Sequence, residues 1–142
     1  MTLMKRILAL DVGDVRIGVA VSDALGITAQ GLETYTRRDI ESDAAHILDI
    51  AEKYKPCVLL FGLPKNMDGT EGGQALKVRE FADALLLRFD GDHAFFDERL
   101  TTVSAHSALS AGGINRKKHK GVVDKIAAVM ILQGYMDRGG IL

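Results

Sequence analysis

Three acidic positions fall where acids are hard to explain as ordinary surface. Asp11 closes the apolar run Ile7-Leu8-Ala9-Leu10 and precedes Val12-Gly13. A carboxylate at the end of a buried strand is costly unless something positive meets it, and Gly13 would let another group approach the backbone closely. The plainer role is a turn acid opening a hairpin; a binding role is set ahead of it. Asp124 sits in the stretch 122–132, which is apolar on nearly every side. Ala127 and Ala128, one turn on, are small enough to bring such a helix close to a sheet. Here the plainer role is to offset the helix dipole. Asp97-Glu98-Arg99 follows directly on Phe95-Phe96. Strand alternation puts the two acids on opposite sides, so only one need face a site. Glu98 is preferred as ligand, with Asp97 in reserve.

Three carboxylates with no cysteine or histidine cluster suit a hard, oxygen-seeking cation, Mg²⁺ or Mn²⁺. In phosphodiester hydrolysis two such ions, roughly 3.5–4 Å apart, activate the water and stabilise the leaving oxygen. Asp11, Glu98 and Asp124 are thus the candidate catalytic and metal-holding residues. His46, His93, His106 and His119 are scattered, and none is assigned as a ligand. Cys57, the single cysteine, lies in the apolar run 57–61 and reads as a reduced core thiol, so no disulfide forms within the chain. Neither a nucleophile elbow nor a Walker phosphate loop is present.

The elements that must bring these acids together are legible in the pattern. Residues 5–11 read as a buried strand, 17–22 as a second and 27–35 as a third, with connections short enough for an antiparallel meander. A helix follows over 39–55, with Ile40, Ala44, Ile47, Leu48 and Ala51 on one face and Glu41, Asp43, Asp49 and Glu52 largely off it. The uninterrupted apolar run 57–62 suits a strand covered on both faces. A glycine-rich loop over 65–73, a helix over 74–89 and a short strand over 93–96 come next. Helices over 101–111 and 122–137 enclose a Gly- and Lys-rich loop. The order βββαβαβαα describes one α/β domain over 1–142: a mixed five-stranded sheet, three antiparallel strands and then parallel crossovers, flanked by helices. If the first strand runs parallel to the two later ones, their C-terminal ends share an edge, where open α/β sheets place their sites. Asp11 and Asp97-Glu98 then meet on that edge.

The chain has 142 residues, 47% of them hydrophobic and 26% charged, ordinary for one globular domain. Its net charge of −1 conceals an asymmetry. Residues 1–98 carry 11 Lys/Arg against 17 Asp/Glu, whereas 99–142 carry 7 against 2. The basic excess concentrates in Arg116-Lys117-Lys118-His119-Lys120, read as a phosphate-contacting loop. Aromatics are 6% of residues with no Trp, so backbone recognition fits better than extensive base stacking. The first apolar run is stopped by Asp11, which argues against a membrane span or a signal peptide. A cytoplasmic protein is expected.

Four segments in order resemble the bacterial RuvX/YqgF family of Holliday junction resolvases or pre-16S rRNA nucleases. They are Leu10-Asp11-Val12-Gly13 with residues 16–23; Gly62-Leu63-Pro64-Lys65-Asn66-Met67-Asp68-Gly69-Thr70; Asp97-Glu98-Arg99-Leu100-Thr101-Thr102; and residues 120–128 around Asp124. The resemblance implies a ribonuclease H-like fold and metal-ion nuclease chemistry at Asp11, Glu98 and Asp124. It implies nucleic-acid contacts from Arg16, Asn66, Arg99, Lys117, Lys118 and Lys120. Val15 departs from the family pattern, which often has a basic residue there. The implied substrate is precursor rRNA in ribosome biogenesis or branched DNA in recombination, and a homodimer is left open. Two rival readings stand beside it: an actin-like nucleotide-binding domain, which begins with a similar Asp-x-Gly turn, and a non-catalytic nucleic-acid-binding ribosome assembly factor.

Overall fold

The computed structural model describes residues 5–100 and 116–139, and for 116–124 the backbone alone. Its frame is a five-stranded sheet in the order β3-β2-β1-β4-β5. The strands are β1 (Arg6–Val12), β2 (Arg16–Ser22), β3 (Ala29–Thr36), β4 (Cys57–Leu63) and β5 (His93–Asp97). The helices are α1 (Ile40–Lys53), α2 (Gly73–Leu86) and α3 (Arg116–Asp137). β1 pairs antiparallel with β2, and β2 antiparallel with β3. β1 and β4 are parallel, as are β4 and β5, so the crossovers through α1 and α2 follow the expected βαβ logic. Every residue of β4 is buried, as its unbroken apolar run requires of a strand covered on both faces.

Period-two alternation sorts the side chains into two cores. Leu8, Leu10, Val12, Ile17, Val19, Leu59 and Phe61 face α1 and α2 and pack with Ile47, Val78 and Phe81. Ala9, Ala20, Leu60, Ala94 and Phe96 face the other way, against Ala128, Ile131, Leu132 and Tyr135 of α3. The alanines on both sides of this second core let the helix axis settle close to the sheet. Burying Ile131 and Leu132 there contributes roughly 1.5–3 kcal/mol each. By parity, Asp11 leaves β1 on the α3 side.

Two expectations need correction. The basic run Arg116–Lys120 is the start of α3 and not a loop, so Lys117, Lys118 and Lys120 are helical. Lys and Arg are good helix formers, and tertiary packing of the 128–135 face carries the helix back through Gly121. Asp43, expected largely off the apolar face of α1, is 1% exposed. It shares a helical stripe with Ile47 and Ile50, both buried. The helix expected over 101–111 lies outside the described residues.

Candidate active site

The C-terminal edge of the parallel strands gathers the acids as the topology demands. In register, Leu10 of β1 stands beside Phe61 of β4, so Asp11 lies next to Gly62. Gly62 in turn pairs with Phe96 of β5, two residues before Glu98. Glu98 opens a single 3₁₀ turn, Glu98–Leu100. Its carboxyl carbon lies 3.2 Å from where a Cβ on Gly62 would stand, and the Ile131 side chain lies 2.3 Å from the same point. Gly62 therefore leaves the space into which Glu98 folds under α3.

The electrostatics follow from that packing. Burial, then the Asp11 carboxylate, then Asp97 push the Glu98 carboxyl up to about 7. A carboxyl so destabilised as an anion by a second carboxylate is one that a cation would relieve. Asp11 and Glu98 thus fit a hard divalent ion by donor type and by mutual repulsion. Among the described residues no group of three or more His, Cys, Asp and Glu converges. Asp124 falls one helical turn before Ala128 in α3, and its side chain lies outside the described residues.

Asp97 has a different occupation. Its carboxylate accepts from Arg99 Nε at 3.0–3.1 Å, from Nη2 at 2.6 Å and from the Arg99 backbone N–H at 3.0 Å. The Arg99 side chain lowers the Asp97 pKa despite burial. Asp97 lies on the side of β5 opposite Phe96, so the reserve ligand is engaged in holding Arg99.

Arg99 also donates from Nη1 to the carbonyl of Met67, at 3.2 Å. That tethers the β4–α2 loop to the Glu98 segment. The loop is further closed by its own bonds. The Asn66 N–H donates to the Thr70 carbonyl, Gly69 N–H to the Asn66 carbonyl, and Asn66 Nδ2 to Thr70 Oγ1 at 3.0 Å. Asp68 accepts from both the N–H and the hydroxyl of Thr70. Gly69, at φ +88°, takes a left-handed conformation that other residues resist. Asn66 is exposed on this loop, and Arg16 opens β2 on the same edge of the sheet.

The turn after Asp11 is held by a pair that sequence reasoning missed. Arg37 donates from Nη1 to the Gly13 carbonyl at 2.9 Å, and the Arg37 N–H to the Val15 carbonyl at 2.8 Å. Its Nε–H reaches Asp43, and its guanidinium lies 5.2 Å from the Phe81 ring centre. The available signal was the position of Asp43 four residues before Ile47 on the apolar stripe of α1. Lys77, at the start of α2, reaches Asp14 of the same turn at 3.2 Å.

A five-stranded mixed sheet of this order, with acids at the ends of β1 and β5, defines a ribonuclease H-like fold. Two solved structures share it across the chain. The T. thermophilus RuvC in complex with a Holliday junction substrate superposes with a TM-score of 0.61 at 15% identity, covering 96% of this chain and 97% of that one. The fowlpox virus Holliday junction resolvase gives 0.55 at 16% identity, covering 94% and 98%. Residues 5–138 match the family described as RuvX, Holliday junction resolvase, and the chain belongs to that family. A relative from Clostridium tetani is 53% identical over 132 residues, 93% of this chain and 96% of its own. Another from Halothermothrix orenii is 48% identical over 93% and 94%. Both carry the provisional name pre-16S rRNA nuclease. The family match decides against the actin-like reading. No helix among the described residues is long and apolar enough to cross a membrane.

Proposed function

We propose that the chain is a single-domain cytoplasmic nuclease that hydrolyses phosphodiester bonds in structured nucleic acid, with Asp11, Glu98 and Asp124 holding divalent Mg²⁺ or Mn²⁺. The observation that carries this reading is the meeting of Asp11 and Glu98 at one end of the parallel strands, where burial and then the Asp11 carboxylate raise the cost of charge on Glu98. Bound there, the ions would supply Lewis-acid stabilisation and a deprotonated water. The chain's own residues do the rest. Gly62 gives Glu98 its place, Arg37 fixes the turn after Asp11, and Arg16, Asn66, Arg99, Lys117, Lys118 and Lys120 are the residues assigned to phosphate contact. The names of the relatives favour precursor rRNA as substrate, and the junction resolvases of the same fold favour branched DNA as the alternative.

The test is a cleavage panel of single-stranded, duplex and four-way-junction DNA and precursor rRNA, with Mg²⁺ or Mn²⁺. Asp11→Asn removes a charge at nearly constant shape, so its cleavage should fall by orders of magnitude with unchanged circular dichroism. Wild-type cleavage by Asp11→Asn would refute the site. No cleavage of any substrate by the wild type would favour the assembly-factor reading.

A further inference from the structure

The Met67 side chain is 94% exposed at the tip of the β4–α2 loop. A single exposed apolar residue is ordinary. Met67 differs in how it is carried and in what surrounds it. Its own carbonyl is gripped by Arg99, whose neighbour is Glu98, and the loop behind it is closed by the Asn66, Asp68 and Thr70 bonds. A large apolar side chain is thereby presented to solvent from a backbone that is held on both sides and tied through Arg99 to the segment that carries Glu98.

Two more exposed apolar residues occupy the same edge. Val15, 58% exposed, lies in the β1–β2 turn, and Leu76, 61% exposed, in the first turn of α2. The Lys77–Asp14 ion pair joins those two segments. The segments along this edge carry the cations Arg16, Lys65, Lys77 and Arg99 together with the acids Asp14, Asp68, Glu71 and Asp97, and Lys77 and Arg99 are paired with Asp14 and Asp97. Proteins that kink nucleic acid drive apolar wedges, methionine among them, between base steps.

We propose that Met67 is such a wedge: it enters the base stack beside the scissile phosphate and selects substrates whose stacking is already weakened, at a branch point or an unpaired step. This deepens the nuclease reading and rests on it. Unstacking is cheaper at such steps than within continuous duplex, so the wedge discriminates by deformability and not by base identity. It also reconciles structured substrates with a chain poor in aromatic residues.

The experiment places 2-aminopurine beside the cleavage site in a four-way DNA junction and in a precursor-rRNA fragment. Binding is followed at saturating protein, with Ca²⁺ in place of the catalytic ion. Wild type should raise base fluorescence at least about threefold as the stack opens. Met67→Ala should lose that rise, with unchanged circular dichroism, and its preference for junction over linear duplex should shrink. Met67→Leu, which keeps apolar bulk, should retain both. The two nucleic acids separate a DNA target from an RNA one. An equal rise with Met67→Ala, a loss with both variants, or no rise with a wild type that binds and cleaves would overturn the wedge while leaving the nuclease reading intact. A wild type that neither binds nor cleaves nucleic acid would overturn both.

Discussion

Arg37 and Asp43 form a 2.9 Å ion pair with the carboxylate 1% exposed and the guanidinium side chain 18% exposed. The pair is satisfied on every side. Asp43 also accepts from the Arg38 N–H and from the Tyr35 hydroxyl, and Arg37 spends its remaining reach on Gly13. Burial raises the Asp43 pKa, yet these donors together take it below the ordinary carboxylate value. Removing one partner strands the other, so Asp43→Ala should destabilise by about 3 kcal/mol or more. The lowered pKa means that Asp43 contributes stability above its unfolded value, and that this is lost as pH falls through the folded one. Acid unfolding curves should therefore lose their steepest part below about pH 4 in the variant. Denaturant midpoints at pH 3–7 check both statements.

Gly62 predicts a second substitution. Gly62→Ala would set a methyl 2.3 Å from Ile131 Cδ1 and 3.2 Å from the Glu98 carboxyl carbon. Overpacking of this kind costs about 1–3 kcal/mol. Adding Ile131→Val removes the closest atom and should restore most of the stability. Cleavage should stay depressed in the double variant, because Glu98 is still displaced. If stability and cleavage recover together, the contact with Glu98 is without consequence.

Glu98 sets the pH behaviour of the metal-free protein. Its folded pKa of about 7 lies above its unfolded value, so its contribution is fully present below the unfolded pKa and lost as pH rises through the folded one. Stability in chelator should fall between about pH 4.5 and 7, by up to about 3 kcal/mol. Glu98→Gln should flatten that window and melt at or above wild type at pH 8. Parallel slopes for the two proteins would mean that Glu98 carries no such strain.

What the sequence disclosed, and what it withheld, divides along physical lines. β1, β2, β4 and β5 were readable because period-two patterning and unbroken apolar runs are local signals. The meeting of Asp11 with Glu98 was readable because parallel pairing puts strand ends on one edge. Spacing does not distinguish Asp97 from Glu98, and the fold-back of Arg99 onto Asp97 is a contact that spacing allows but does not demand. Arg37 and Asp43 were missed because charged residues are ordinarily exposed, and a charged stripe position gains meaning only when its partner is known. The Gly- and Lys-rich composition of the basic run reads locally as loop, whereas distant packing of Ile131 and Leu132 carries α3 through Gly121.

Asp124 can be assigned by thermodynamics. Clustered carboxylates repel in the absence of metal, so Asp124→Asn should melt at or above wild type in chelator at neutral pH. Metal should reverse the order, stabilising wild type by RT ln(1 + [M]/Kd), roughly 2.7 kcal/mol at a hundredfold excess over Kd. Thermal melts of both proteins with chelator and with millimolar Mn²⁺ decide the point. If Asp124→Asn melts well below wild type in chelator and gains equally from Mn²⁺, Asp124 is a structural residue of α3.

The basic start of α3 makes opposite predictions for stability and for binding. Arg116, Lys117, Lys118 and Lys120 stand in its first turns, with no acidic residue in the first. Cations at a helix N-terminus oppose its dipole, at about 0.3–1 kcal/mol each when exposed and at low salt. A helix begun this way is poorly arranged for its own stability and well arranged for attracting phosphates, since dipole and side chains then carry the same sign. Lys117→Ala with Lys118→Ala should leave the isolated protein as stable as wild type, or slightly more so. It should weaken nucleic-acid binding uniformly across sequences, and reduce the magnitude of the slope of log K against log salt by up to about two units. Binding titrations from low to moderate salt, beside thermal melts of the free protein, measure both effects. An unchanged salt slope would show that these lysines do not touch phosphates, whatever happens to the melting temperature.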